Sequence, residues 1–184
     1  MSKKIFIFVG ASASGKTTTE NMLIDAGYVD RIISYTSRDI RPDIEKDGVD
    51  YYFRSVKECL SQKNVLEIHI TPEWVYSVSE EELLSHEGDK DLIYSCINVK
   101  PAEDMYNYIK NNNLDIEPVI VFFNINIEQR IKLLKARGET DEDINLRLSR
   151  EDTLDDFSIK PAFILTDLYS AYEDFLEKGG FNGK

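Results

Sequence analysis

An α/β fold is expected, with a parallel sheet packed between helices on both faces. Three observations lead there. The runs 5–9, 92–97 and 119–123 are apolar and of strand length, as for strands buried on both sides. Segments with apolar residues at helical spacing alternate with them. The first run also ends in Gly-x-x-x-x-Gly-Lys-Thr with a helical pattern behind it, which sets a glycine-rich loop at the C-terminal end of a strand.

That loop is Gly10-Ala11-Ser12-Ala13-Ser14-Gly15-Lys16-Thr17, followed by Thr18. Gly10 and Gly15 let the backbone curl, so that successive N–H groups point at one oxyanion. The N-terminus of the next helix adds partial positive charge. Lys16 is placed to reach β- and γ-phosphates, and the Thr17 hydroxyl to ligate Mg²⁺. A triphosphate is the expected occupant.

The remaining elements follow in order. Met22, Leu23 and Ala26 continue a helix over 18–26, and Gly27 stops it. Residues 32–36 read as a short strand. Arg38 and Arg41 come next, three apart, and two guanidinium forks there suit a doubly charged phosphate monoester. An acidic, glycine-containing turn at 43–50 leads to Tyr51, Tyr52 and Phe53. Residues 55–60 look helical. The run 65–70 alternates weakly and sets Glu67 between apolar neighbours, where a carboxylate seldom sits without a partner. Trp74, Val75 and Tyr76 precede a short helix at 80–84. Tyr52, Phe53 and Trp74 are expected in the core.

Beyond the strand at 92–97, Pro101 suits the first turn of a helix whose apolar face carries Ala102, Met105, Tyr106 and Ile109. Asn111, Asn112 and Asn113 end it. After the strand at 119–123, Ile127, Ile131 and Leu134 mark a helix ending at Arg137-Gly138. Thr140 with Asp143 is a capping arrangement for a further helix. That helix turns Ile144 and Leu148 inward and carries Arg147 and Arg150 on another face. Basic residues concentrated between Arg130 and Arg150, around a glycine hinge, have the character of a closing lid. Residues 163–165 form a last strand. Leu168, Ala171, Tyr172 and Phe175 form a terminal amphipathic helix closed by Gly179-Gly180.

With 184 residues the chain has enough length for one domain with a substantial core. Its 42% hydrophobic and 30% charged residues mark a globular, soluble protein. No apolar run approaches the ~20 residues of a membrane span, and no signal-peptide pattern precedes the loop, so a cytoplasmic location is expected. Cys59 and Cys96 fit no metal or redox spacing. His69 and His86 are too few for a His-based zinc site. The net charge of −12 argues against a nucleic-acid duplex as partner. It also requires a local positive cluster to draw in a phosphate substrate against the overall field.

At this point the residues resemble those of guanylate kinases over nearly the whole length. The glycine loop is one match. Ser34-Tyr35-Thr36-Ser37-Arg38-Asp39-Ile40-Arg41-Pro42, with Glu45, Asp47-Gly48-Val49-Asp50-Tyr51 and Phe53, is similar to that family's acceptor-binding signature. Arg137-Gly138-Glu139-Thr140, with Ile144 and Arg147-Leu148, is similar to its lid. The resemblance implies a three-layer P-loop NTPase fold in a single domain over 1–184. Its core would comprise 1–33, 92–128 and 160–184, its NMP-binding region 34–91, and its lid about 129–155. It implies an ATP-dependent nucleoside monophosphate kinase. With Mg²⁺, this would pass the γ-phosphoryl group of ATP to GMP or dGMP. The partners would be small nucleotides rather than nucleic acid or a membrane, and the protein a monomer or homodimer.

The resemblance also implies roles. Gly10 to Thr18 would hold ATP. Ser34 would contact the acceptor base, and Arg38, Arg41, Tyr51 and Tyr76 its phosphate. Glu67 would accept hydrogen bonds from the guanine edge. Lys16, Arg38, Arg41, Arg137 and Arg147 would be catalytic, stabilising the transferring group. The physics agrees with these assignments. Guanine presents N1–H and an amino group side by side, and one carboxylate accepts both; adenine has no such pair. Phosphoryl transfer needs positioning and charge neutralisation rather than a general base.

The chain departs from the family at four places. One extra residue lies between Arg41 and Glu45. Tyr76-Ser77-Val78-Ser79 replaces Tyr-Gly-(Ser/Thr); Val78 cannot donate to a base oxygen, which leaves Ser77 or Ser79 for that role. Cys96-Ile97-Asn98 replaces Asp-x-Asp, leaving Asn98 to hydrogen-bond a base edge. The lid is one residue shorter between Arg137 and Arg147. Two alternatives stand beside the leading one: a shifted or relaxed acceptor, and a catalytically silent binding module of the same fold. The intact Gly15-Lys16-Thr17 argues against the module.

Overall fold

A computed structural model describes residues 2–71, 73–86 and 88–181. In chain order the elements begin with β1 (Lys3–Gly10), α1 (Lys16–Asp25), β2 (Val29–Arg31), β3 (Tyr35–Thr36), β4 (Tyr52–Phe53), α2 (Val56–Leu60), β5 (Val65–Ile70) and β6 (Val75–Ser79). They continue with α3 (Glu80–Leu84), β7 (Asp91–Cys96), α4 (Val99–Asn111), β8 (Ile116–Phe123), α5 (Ile127–Ala136), α6 (Asp141–Leu148), β9 (Phe163–Leu165) and α7 (Ala171–Gly179).

A five-stranded sheet of order β2-β7-β1-β8-β9 is parallel throughout. Its central strand explains the layering. Along β1, Ile5, Ile7 and Val9 point to one face, where they meet Met105 and Ile109 of α4. Phe6 and Phe8 point to the other and meet Leu23 of α1 and Phe175 of α7. The two-residue period of a strand therefore supplies two cores from one apolar run, which is why a parallel sheet needs helices on both faces. The three-layer α/β expectation holds.

A second sheet, of order β4-β3-β6-β5, is mixed: β3 runs parallel to β4 and antiparallel to β6, and β5 and β6 are antiparallel. Here the expected strand at 32–36 is corrected. Val29–Arg31 pairs with β7 in the first sheet, and Tyr35–Thr36 belongs to the second. Ile32 N–H still reaches the Ile93 carbonyl at 2.8 Å. The next amide, Ile33, donates to the Glu82 carboxylate at 2.9 Å instead. That side chain ends the ladder and lets the chain change sheets.

Three smaller corrections follow. The first helix starts at Lys16 rather than 18, because Gly15 caps it in the left-handed region at φ 88°. The terminal helix starts at Ala171, and Leu168 packs in the turn before it. Trp74 is 41% exposed near the β5–β6 turn, and Tyr52 and Phe53 are only half-buried, so none of the three belongs to the core. Among the described residues no helix is long and apolar enough to cross a membrane.

Phe175 joins the α7 core by edge-on contacts with Phe6 and Phe8, at ring-centroid distances of 5.0 and 5.1 Å. It is fully buried. Phe175→Ala is expected to cost about 3–5 kcal/mol of unfolding free energy, read from a urea titration.

Candidate functional site

The loop between β1 and α1 closes on itself. Ala13 and Gly15 both take positive φ, at 61° and 88°, which turns the backbone back on itself twice within three residues. A Cβ on Gly10 would lie 2.8 Å from both Cβ and the carbonyl oxygen of Phe123, so only glycine fits where the strand ends. Lys16 curls back over the loop. Its Nζ donates to the carbonyls of Gly10 at 2.5 Å and Ala11 at 3.0 Å, and to Ser14 Oγ at 3.4 Å. Burial pushes its pKa down to about 8, against the pull of Cys96 and Glu20. Thr17 and Thr18 stand exposed at the start of α1. A buried lysine beside a helix N-terminus can exchange carbonyl partners for an oxyanion.

A second group of positive charge follows β3. Arg38 is buried and grips Glu45 with both nitrogens of its fork, at 2.7 and 3.0 Å. Its guanidinium lies 5.5 Å from the Tyr51 ring centre and 5.6 Å from that of Phe53. Glu45 also accepts the Arg41 amide at 2.9 Å, while the Arg41 guanidinium remains exposed. Burial pushes the Glu45 carboxyl up, but its hydrogen bonds from Arg38 and Arg41 outweigh this and hold it below its ordinary value. Tyr51 and Tyr76 face each other with ring centres 6.1 Å apart. Burial, reinforced by Tyr76, pushes the Tyr51 phenol to about 12. Ser34 is buried between the two sheets, and its carbonyl accepts the Tyr52 amide at 2.9 Å.

Glu67 lies on β5 and is 3% exposed. Its Oε2 accepts a hydrogen bond from the Tyr94 hydroxyl at 3.1 Å. Its Oε1 is buried with no partner. Burial pushes the carboxyl up to about 7 against that hydrogen bond. In the β5–β6 register Val78 stands directly across from Glu67. Alternation then turns Ser77 and Ser79 to the opposite side. There Ser77 donates to the Cys59 carbonyl at 2.8 Å, and Ser79 caps α3 by accepting the Glu82 amide at 3.2 Å. Neither serine faces Glu67. Asn98 donates its amide to Asp152 at 3.3 Å. Cys96, at the end of β7, feels Glu67 and Lys16 alike, so the two halves of the site lie within electrostatic reach of one thiol.

Of the two arginines expected in a lid, Arg147 reaches the loop, donating to Ser12 Oγ at 3.3 Å and to Glu139 at 2.6 Å. Arg137 is exposed at the C-terminus of α5. Ala13 of the loop packs with Leu134 of α5 and Ile144 of α6, which joins the loop to these helices in one small core. Sequence reasoning missed two carboxylates, Glu20 and Glu151, that hold two other arginines, Arg31 and Arg130. Glu20 takes Arg31 at 2.7 Å and Ser95 Oγ at 2.7 Å; its signal was an acidic residue on the buried side of α1. Glu151 takes Arg130, and no local pattern connects two residues so far apart in the chain.

The folded chain keeps the Glu67 proton up to about pH 7, whereas the unfolded chain keeps it only to the ordinary value of 4.5. This carboxyl therefore lowers stability progressively as pH rises through that window, and fully above it. Glu67→Gln is expected to stabilise the fold above pH 7 relative to acid pH, by on the order of 3 kcal/mol, in denaturation curves taken across the window. A flat difference between variant and parent would contradict the burial of the charge.

The family model for guanylate kinase matches residues 2–156. The crystal structure of guanylate kinase from Anaplasma phagocytophilum has a TM-score of 0.63 at 18% identity, covering 100% of this chain and 88% of that one; at this identity the likeness concerns the fold. A structure from Chloroflexus aurantiacus, at 18% identity over 98% of this chain and 93% of that one, has a TM-score of 0.44 and carries no argument. No curated protein matches the sequence. With most of its length under one family model, the chain belongs to the guanylate kinase family.

Proposed function

We propose that the chain transfers the γ-phosphoryl group of ATP to GMP or dGMP. One observation carries the acceptor: Glu67 Oε1, a buried carboxylate oxygen with no hydrogen-bond partner. Leaving such an acceptor unmade costs about 1–3 kcal/mol, and a ligand with adjacent N–H donors recovers it. Guanine has that pair of donors. Arg38, Arg41, Tyr51 and Tyr76 then take the acceptor's phosphate, with Glu45 holding the Arg38 fork in orientation beforehand.

The donor side is the glycine loop. Lys16 would leave the Gly10 and Ala11 carbonyls for the ATP phosphates, and their charge would raise its pKa again. Arg147, already at Ser12, and Arg137 would neutralise the group in flight. The bond from γ-phosphorus to the ADP oxygen breaks as the bond to the acceptor's phosphate oxygen forms. Among the described residues no cluster of His, Cys, Asp or Glu could cage a metal. The exposed Thr17 hydroxyl and the nucleotide's own oxygens fit Mg²⁺, which keeps few protein ligands; when bound it supplies charge neutralisation.

A relaxed acceptor is the second reading. It is favoured by the register that sets Val78 across from Glu67 and turns Ser77 and Ser79 to the other face of β6, so that no serine hydroxyl of that strand stands beside Glu67 to donate to a base oxygen.

The test is ADP release from ATP-Mg²⁺ with GMP, dGMP, AMP, CMP, UMP and dTMP in parallel. Turnover with GMP or dGMP alone is expected. Turnover with another base would favour the second reading, and none with any acceptor would overturn the proposal. Lys16→Ala is expected to lower kcat by roughly a hundredfold or more while the melting temperature is kept.

A further inference from the structure

Between the lid and β9 the chain crosses the site with two adjacent carboxylates that serve opposite sides of it. Glu151 takes both Nη atoms of Arg130, at 2.6 and 2.7 Å. Arg130 is buried, donates Nε to the Ile125 carbonyl at 3.2 Å and reaches the Ser12 carbonyl of the glycine loop at 3.4 Å. Asp152 turns the other way. One of its oxygens accepts the Val99 amide at 2.6 Å and Asn98 Nδ2 at 3.3 Å. Asn98 is the residue at the N-cap of α4, yet its own side chain does not cap the helix. Asp152 does so from far along the chain, where a carboxylate meets orphan N–H groups and the positive end of the helix.

Two consequences follow. α4 packs against β5, the strand that carries Glu67, so a pin on its first amide fixes the support behind that carboxylate. An ionised carboxylate only accepts, so Asn98 must turn its NH₂ to Asp152, and Oδ1 becomes the amide atom left to accept elsewhere. The same corner holds Glu67, Tyr94, Cys96, His69, Lys100 and Asp104. Tyr94 donates to Glu67 at 3.1 Å, and Cys96 Sγ lies 3.4 Å from the Asn98 carbonyl oxygen.

We infer that Asp152 is a positioning residue for the acceptor nucleotide. It holds Asn98 so that the amide oxygen is offered to the base, and Glu151 beside it ties that pin to Arg130 and the glycine loop. The acceptor side then reads base donors twice, with Glu67 and with Asn98. This rests on the reading of the site as one for a nucleoside monophosphate.

Asp152→Ala and the conservative Asp152→Asn test it. In Asp152→Ala nothing accepts from Asn98, so its direction is no longer dictated. The dissociation constant for GMP, measured by calorimetry without ATP, is then expected to rise about tenfold, and that for ATP-Mg²⁺ to stay within about twofold. In Asp152→Asn the Val99 amide still requires an oxygen at the position that also takes Asn98 Nδ2, so Asn98 keeps its direction. GMP affinity in that variant is expected to stay within about threefold of the parent. Equal losses for GMP and ATP with a lowered melting temperature would make Asp152 a scaffold residue and overturn the inference. Unchanged GMP affinity in Asp152→Ala, a loss in Asp152→Asn as large as in Asp152→Ala, or failure of both variants to fold would also overturn it. A parent protein that binds no nucleoside monophosphate would overturn the reading of the site, and the inference with it.

Discussion

The burial of β1 between two parallel neighbours is the constraint on which the rest of the molecule depends. The strand has no solvent side, and its residues feed two cores at once. Because β7 and β8 run parallel to it, Val9 aligns with Cys96 and with Phe122, and Gly10 with Phe123. Three strand ends therefore arrive at one edge of the sheet. The close approach of Gly10 to Phe123 admits no side chain, so the chain turns there with bare backbone. In open parallel sheets this edge is where ligands bind, and the same register delivers Lys16, Cys96 and the α4 N-terminus to it. Phe6 and Phe8 of that strand pack edge-on against Phe175 of α7 on one face of the sheet.

Charge is the second organising constraint. In a chain of net charge −12, four arginines are each held by a carboxylate. Arg38 lies on Glu45, Arg130 on Glu151, Arg31 on Glu20 and Arg147 on Glu139. These pairs differ in kind. The first three are mostly buried, and their partners fix the direction of a guanidinium more than they add stability. Arg147 with Glu139 is more open, and such a pair contributes little free energy. Lys16 has backbone carbonyls instead of a carboxylate, and burial lowers its proton affinity. Glu67 is the mirror image: a carboxyl with one weak donor and one bare oxygen, whose proton affinity burial raises.

Much of the parallel sheet was legible in the sequence, because strands buried on both faces are continuous apolar runs. The glycine loop was legible because its spacing is itself the geometry. The second sheet was not, since β3 and β4 have two residues each and no run that short carries a period. The break at Ile33 depends on the Glu82 carboxylate, which lies well along the chain. Ser77 and Ser79 looked available because a sequence shows composition but not facing; the register across from Glu67 decides which of Ser77, Val78 and Ser79 turns toward it. Trp74 looked like core because large aromatics usually are, yet it lies close to the β5–β6 turn. Arg38, Arg41, Tyr51 and Tyr76 do come together around Glu45, whereas Glu20 and Glu151, which hold Arg31 and Arg130, left almost no local signal.

The central claim is that a desolvated carboxylate on β5 distinguishes the acceptor base. The most direct measurement is the ratio of GMP to AMP affinity in the parent protein and in Glu67→Gln, by calorimetry, from about pH 6 to about pH 8. The ratio cancels the titration of the nucleotide phosphate, which both ligands share. If Glu67 reads the base as an anion, the preference for GMP rises roughly tenfold across that range in the parent and stays level in the variant. A preference that does not change with pH in the parent, or that changes equally in the variant, would contradict the account.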